Sequence, residues 1–323
     1  MRLKKSFPRY GVGLVFLLVL TAVGAAGCGK GESSSQPLRV ALLPVLDTLP
    51  VHVALEEGYF ADHGVEVEIV PVSSAPERDQ LIAAGEADGM LNEIVSTMFA
   101  NQDEVRVRIV RTARAARTDA PLFRILAAEN SGIVSVEDLK GVDIGISEGT
   151  VIEYVTDRML QEEGFAAAEI AKIPVPKIPD RLALLGAGEI QAAVLPDPLA
   201  SLAVQQGARV IIDDSSYPRY GLSTFTFRAD ITADRPDAVA AFLAGVEQAV
   251  TAINSDPGKY ADLLIEKKLV PPPVLGDYQI PAFPTASVPS RSQWLDALDW
   301  GEDQGLLDSR PKYEESVTED LLP

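Results

Sequence analysis

Residues 81–91 read LIAAGEADGML and residues 184–194 read LLGAGEIQAAV, so the second stretch starts 103 positions after the first. That interval is far longer than the roughly 20 to 50 residues of a solenoid repeat. It suits two small domains of like construction. Around each copy, apolar strand-like runs alternate with amphipathic helix-like ones. LRVALL, VEVEIV, ADGML and VRVRIV are the strands of the first series, and VDIGI, AEIAKIPV, IQAAVL and ARVIID those of the second. Such alternation predicts mostly parallel sheets with helices on both faces. In each half the echoed stretch is a helix ending at glycine, then a buried strand, and Gly85 and Gly188 suit the left-handed position that closes a helix.

The beginning of the chain reads as an address. Arg2, Lys4, Lys5 and Arg9 precede the apolar run GVGLVFLLVLTAVGAAG, the pattern of a secretory signal over residues 1–27. Cys28, the only cysteine, follows at once, and a lone thiol forms no internal disulfide. GKGESSSQP then reads as a flexible tether, with 28–37 the expected range. The whole chain has 28 basic and 47 acidic residues. Without the four basic residues of the leader, 24 basic remain against 47 acidic, a formal charge of −23. That surface repels phosphate backbones, so no nucleic-acid partner is expected.

Between the two series lies APLFRILAAE, and after the second lies GLSTFTFRA, two extended segments that suit the crossings of a two-stranded hinge near 123–127 and 223–228. The helical tail is expected to return to the first domain, because chain termini often lie close together. The expected division is 38–124 plus 225–323 for lobe 1 and 125–224 for lobe 2.

EEGYFADHGVEVEIV, DLKGVDIGISEGTVIEYV and LPDPLASLAVQQGARVI, with Gly58, Phe60, Gly64 and Val67 matching a G-x-F-x-x-x-G-x-x-V pattern, resemble the solute-binding proteins of ABC importers. The resemblance runs from Leu38 onward. It is to the nitrate, taurine and thiamine-precursor class related to NMT1/THI5, of SsuA/TauA type. AAGC resembles a lipobox, although Ala25 stands where that pattern usually has Leu. The resemblance implies an α/β, type II periplasmic-binding-protein fold of two lobes on a two-segment hinge. It also implies a monomer, lipid-anchored through Cys28 at the extracytoplasmic face of the cell membrane, delivering a small-molecule ligand to a permease with a separate ATPase. No P-loop lysine motif and no cofactor signature is present.

In open α/β sheets ligands settle beyond the carboxyl ends of strands. Four turns qualify, and they carry Asp47 and Thr48, then Asn92 and Glu93, then Ser147, Gly149, Thr150 and Tyr154, and finally Asp197. Three carboxylates without a cation in those turns suit an amine, an aminopyrimidine or another nitrogen heterocycle such as a thiamine precursor or flavin. Nitrate or a sulfonate is the alternative, and it would draw on Arg114, Arg117 or Arg124 near the crossing. Pairing with the acidic excess is the expected role of those arginines.

Two other chemistries are weighed and set aside. Gly145-Ile146-Ser147-Glu148-Gly149 fits the nucleophile elbow G-x-S-x-G, but His52 and His63, the only histidines, precede Ser147, whereas the base of that fold follows it. The thiamine-precursor synthases related to this class are distinguished by a clustered-cysteine motif, and the chain has no cysteine beyond Cys28. No enzyme is expected. His52, Glu56 and His63 offer too few nitrogen ligands for a transition-metal site, and none is expected.

Overall fold

The computed structural model describes residues 36–276 and 278–323. The expected signal peptide, Cys28 and most of the tether lie outside them. In chain order the strands are β1 (Leu38–Leu42), β2 (Val67–Pro71), β3 (Gly89–Asn92), β4 (Val107–Ala115), β5 (Phe123–Ala127), β6 (Ile144–Ile146), β7 (Lys172–Pro174), β8 (Ala192–Pro196), β9 (Arg209–Asp213) and β10 (Leu222–Arg228). They make two sheets, β2-β1-β3-β10-β4 and β7-β6-β8-β5-β9. In the first, β1 pairs parallel with β2 and β3, while β10 runs antiparallel between β3 and β4. The second repeats the plan, with β6 parallel to β7 and β8, and β5 antiparallel between β8 and β9. Each sheet with its helices is one α/β lobe.

The repeated stretch occupies the same place in both lobes. The helix Ala75–Ala83 leads into β3, and the helix Ile178–Ala187 leads into β8. Gly85 has φ +71° and Gly188 φ +70°, the left-handed turn that ends each helix without the penalty a Cβ would add. Gly89, at the head of β3, is needed for a second reason. A Cβ there would come within 2.5 Å of the Phe227 ring on β10. That ring cannot retreat, since it is fully buried and lies 5.3 Å, edge to face, from Phe242 of the long helix Pro236–Ser255.

The extended segments 123–127 and 223–228 fall within β5 and β10, which are hydrogen-bonded on both sides and cannot take up a rotation. The chain instead crosses from the first sheet to the second over 116–122 and returns over 214–221. Asp214 holds these crossings together. Its Oδ1 accepts from the backbone N–H of Leu122 at 2.8 Å and of Phe123 at 3.1 Å. Its Oδ2 has no partner and would lie 1.9 Å from a Cβ on Gly221, so the return strand passes it only as glycine. Burial pushes this carboxyl up to about 7, against the two N–H donors and Arg114.

The tail does not simply rejoin the first lobe. The helix Arg291–Asp303 packs on the helix Ile94–Ala100, and Trp294 and Trp300 enter a core shared with Ile144, Val155 and Met159 of the second lobe. Trp300 Nε1 donates to Asp157 at 2.9 Å, and Tyr154 Oη to Asp296 at 2.6 Å. The range 225–323 therefore contains a helix that both lobes share.

Two outcomes follow for stability. Gly89→Val should cost roughly 1–3 kcal/mol by overpacking against Phe227, read as a lower denaturant midpoint at unchanged slope; an unchanged midpoint would contradict this packing. Asp214 titrates at about 7 in the fold against 3.8 ordinarily, so its contribution is complete below the lower value and lost as pH rises through the upper one. Asp214→Asn should flatten the fall in urea midpoint between about pH 5 and about pH 8, and an equal fall in both proteins would refute it.

Candidate functional site

A chamber of about 90 Å³ lies where the carboxyl ends of the strands of both lobes meet. The first lobe supplies Leu43, Val45, Asp47, Arg78, Leu91, Asn92, Glu93 and Ser223 to its wall. The second supplies Ser147, Thr150, Val151, Ile152, Pro176, Ile178, Arg181 and Pro196, with Leu122 and Phe123 at the crossing. Most of this wall is apolar.

Of the residues picked from the sequence, Asp47, Asn92, Glu93, Ser147 and Thr150 line the chamber and four do not. Thr48 turns its hydroxyl onto the Val45 carbonyl at 2.8 Å. Gly149 sits at φ +65° with its N–H donated to Glu153, serving the turn. Tyr154 is one helical turn past the capping Thr150 and points the other way, edge to face with Trp300. Asp197 faces a separate recess, held by Ser201 at 2.6 Å and Tyr278 at 2.8 Å.

The carboxylates are not open acceptors. Asp47 Oδ1 meets Arg114 at 3.3 Å and its Oδ2 accepts from Ser223 at 2.6 Å. Arg114 is buried and also donates to the Asp197 carbonyl at 3.4 Å, so one guanidinium bridges the lobes. It pairs with the acidic excess as expected, though buried rather than at the surface, and so do Arg117 with exposed Asp119 and Arg124 with Asp197. Glu93 caps the helix Ile94–Ala100 through Ser96 N at 3.0 Å and binds the Ser96 hydroxyl with its other oxygen. Burial pushes Glu93 up, opposed by Arg78. Asn92 is equally occupied, donating to Thr97 and accepting from Thr224 and Thr226. Thr150 donates to Ser147 O and accepts from Ile152 N.

The sequence reading missed Arg78 and Arg181, although the repeat marks them. They stand 103 positions apart, three residues before each echoed stretch. Each reaches from its helix to the carbonyl of the next strand, Arg78 Nη1 to Leu91 O at 3.2 Å and Arg181 Nε to Val194 O at 3.0 Å. Those carbonyls are again 103 positions apart. Among the side chains lining the chamber, Arg181 Nη2 and Ser147 Oγ are the buried polar atoms without a partner. Among the described residues no base is therefore hydrogen-bonded to Ser147, as an activated nucleophile requires.

Two α/β lobes on a double crossing, with a chamber walled by both, define the periplasmic-binding-protein class. The chain belongs to the NMT1/THI5-like family, whose model matches residues 46–260. A putative aliphatic sulfonates-binding protein of Bacillus subtilis (strain 168) is 25% identical over 273 residues, 80% of this chain and 79% of that protein. A formylaminopyrimidine-binding protein of Halalkalibacterium halodurans is 26% identical over 156 residues, 46% of each chain. Among solved structures, the alkanesulfonate-binding protein SsuA from Xanthomonas axonopodis pv. citri bound to MOPS superposes with TM-score 0.73 at 20% identity, over 87% of this chain and 98% of that one.

Removing one partner of a buried ion pair strands the other. Arg114→Met should therefore lower unfolding stability by roughly 3–5 kcal/mol, with part recovered in the double variant with Asp47→Leu. Additive losses in that cycle would show that the two side chains do not interact.

Proposed function

We propose that the protein is the extracytoplasmic solute-binding component of an ABC importer, which captures one small organic molecule between its lobes and performs no chemistry on it. The observation that carries this reading is the chamber itself: both lobes wall it, most of that wall is apolar, and its carboxylates are engaged within the fold. A ligand with an apolar body fits such a wall, and a nitrogen heterocycle offers one. The names of the sulfonate-binding and formylaminopyrimidine-binding relatives agree with a compact organic solute.

In this reading the two lobes, close to the expected 38–124 with 225–323 and 125–224 but with their limits moved to the crossings, are the bodies that rotate, and the crossings 116–122 and 214–221 absorb the motion. Ligand stabilises the closed form because only there does it touch both walls. The shared helix Arg291–Asp303 limits the opening. Cys28, after its apolar run, is the lipid anchor at the outer face of the membrane. A monomer delivers its cargo to a permease driven by a separate ATPase.

A thermal-unfolding screen of the full chain against organic solutes tests the capture. A ligand at a hundredfold excess over Kd should add about 2.7 kcal/mol to the folded state. Ile178→Trp, which fills the chamber, should abolish the shift. A shift that persists undiminished in Ile178→Trp would place binding elsewhere.

A further inference from the structure

The described residues of 271–284 belong to the first lobe. Val274 and Phe283 are buried in its core, and Leu275, Tyr278 and Ile280 pack against the same cluster. Phe283 N donates to Asn254 Oδ1 and Asn254 Nδ2 to the Phe283 carbonyl, both at 2.9 Å, while Arg111 Nη2 donates to the Pro284 carbonyl at 2.8 Å. So anchored, the segment reaches the second lobe. Tyr278 Oη donates to Asp197 Oδ2 at 2.8 Å, and the turn Pro272–Val274 packs on the helix Leu199–Gln205. Asp197 is set for this contact by its own lobe. Ser201 donates to its Oδ1 at 2.6 Å and Arg124 lies 3.4 Å from the same oxygen, which leaves Oδ2 to the tyrosine. Arg114 meets the Asp197 carbonyl and does not compete for the carboxylate. Burial and the neighbouring carboxylate push the Tyr278 hydroxyl up, so it remains the donor.

We propose that this segment is a strap on the first lobe and the Tyr278–Asp197 hydrogen bond its latch, whose release opens the edge of the cleft where a solute enters. This rests on the lobes parting to admit a solute to the chamber. Two kinds of contact join the lobes, and they differ in what parting them costs. Beside the helix Arg291–Asp303, Ile94, Val95 and Met98 share one apolar core with Ile144, Ile152 and Val155. At the strap, Leu202 is the one second-lobe residue, among the described residues, that packs against the first lobe's cluster, and it is half-buried. Parting a core returns apolar surface to water. A hydroxyl and a carboxylate exchange each other for water at modest net cost. The strap edge is therefore the one that parts. It also leads to the chamber: a recess lined by Pro44, Val45, Pro196, Pro198, Pro271 and Pro272 lies along the strap and shares Val45 and Pro196 with the chamber wall.

Thiol labelling of the full chain with N-ethylmaleimide, without any solute, tests the latch. Thr150→Cys places a thiol at a buried position of the chamber wall, and Ala249→Cys places one in the fully buried face of the helix Pro236–Ser255. Peptide mass spectrometry separates either from Cys28. When closing is fast relative to labelling, the rate follows the population of the open form. Tyr278→Phe keeps the ring and removes the latch, so it should speed labelling at position 150 about tenfold and leave position 249 unchanged. An unchanged rate at 150 would overturn the proposal, and so would an equal gain at both positions, which reports general loss of stability. If Tyr278→Phe fails to fold, Asp197→Asn, which removes the charge at the same hydrogen bond, decides by the same two rates. If the rates behave as expected and no solute shifts the thermal midpoint, the latch stands and capture fails. If a solute binds and Ile178→Trp blocks it while the rate at 150 is unchanged, capture stands and the latch fails.

Discussion

A guanidinium sealed from water is tolerated only when most of its donors are met, and the Arg181 clamp, which leaves Nη2 alone without a partner, is where this structure depends most on that rule. The side chain runs from the helix Ile178–Ala187 to a carbonyl on β8 and to the loop after β7, so one charged group ties three pieces of the second lobe together. Arg78 does the same work in the first lobe, fixing the helix Ala75–Ala83 to β3 and, through Ser96, to the start of the next helix. These clamps bring two helices and two strand ends to one point. Both arginines line the chamber, one from each lobe.

Between the lobes the contacts are both polar and apolar. Arg114 reaches Asp47 on one side and the Asp197 carbonyl on the other. The helix Arg291–Asp303 adds a second tie, with Asp296 receiving both Tyr154 and Arg158 of the second lobe. Polar ties of this sort exchange with water at modest net cost, unlike a shared apolar core. Such a core is also present: Ile94, Val95 and Met98 of the first lobe and the tryptophans of that helix cluster with Ile144, Ile152 and Val155 of the second. A rotation of one lobe against the other would therefore disturb that core as well as the polar ties around the crossings.

The fold was legible because it depends on periodicity, and the alternation of strand and helix runs from Leu38 to Asp213 survives any choice of rotamer. The site was half legible for the same reason. Asp47, Asn92, Glu93, Ser147 and Thr150 stand just beyond strand ends, and strand ends converge. Which of them faces a ligand depends on partners distant in sequence. Asp47 is satisfied by Ser223, 176 positions away, and Asn92 by Thr224, 132 positions away. Tyr154 was misplaced because one helical turn beyond a cap reaches a different neighbour. Arg78 and Arg181 look like solvent-facing residues of amphipathic helices, and only their equal place in the repeat distinguishes them.

The two lobes are proposed to close over a solute in the chamber. Small-angle X-ray scattering of the protein with and without a solute that raises its thermal midpoint tests this most directly. The radius of gyration should be smaller with the solute present, and no such change should occur in Ile178→Trp. Superimposable curves for a protein shown to be saturated with its solute would contradict it.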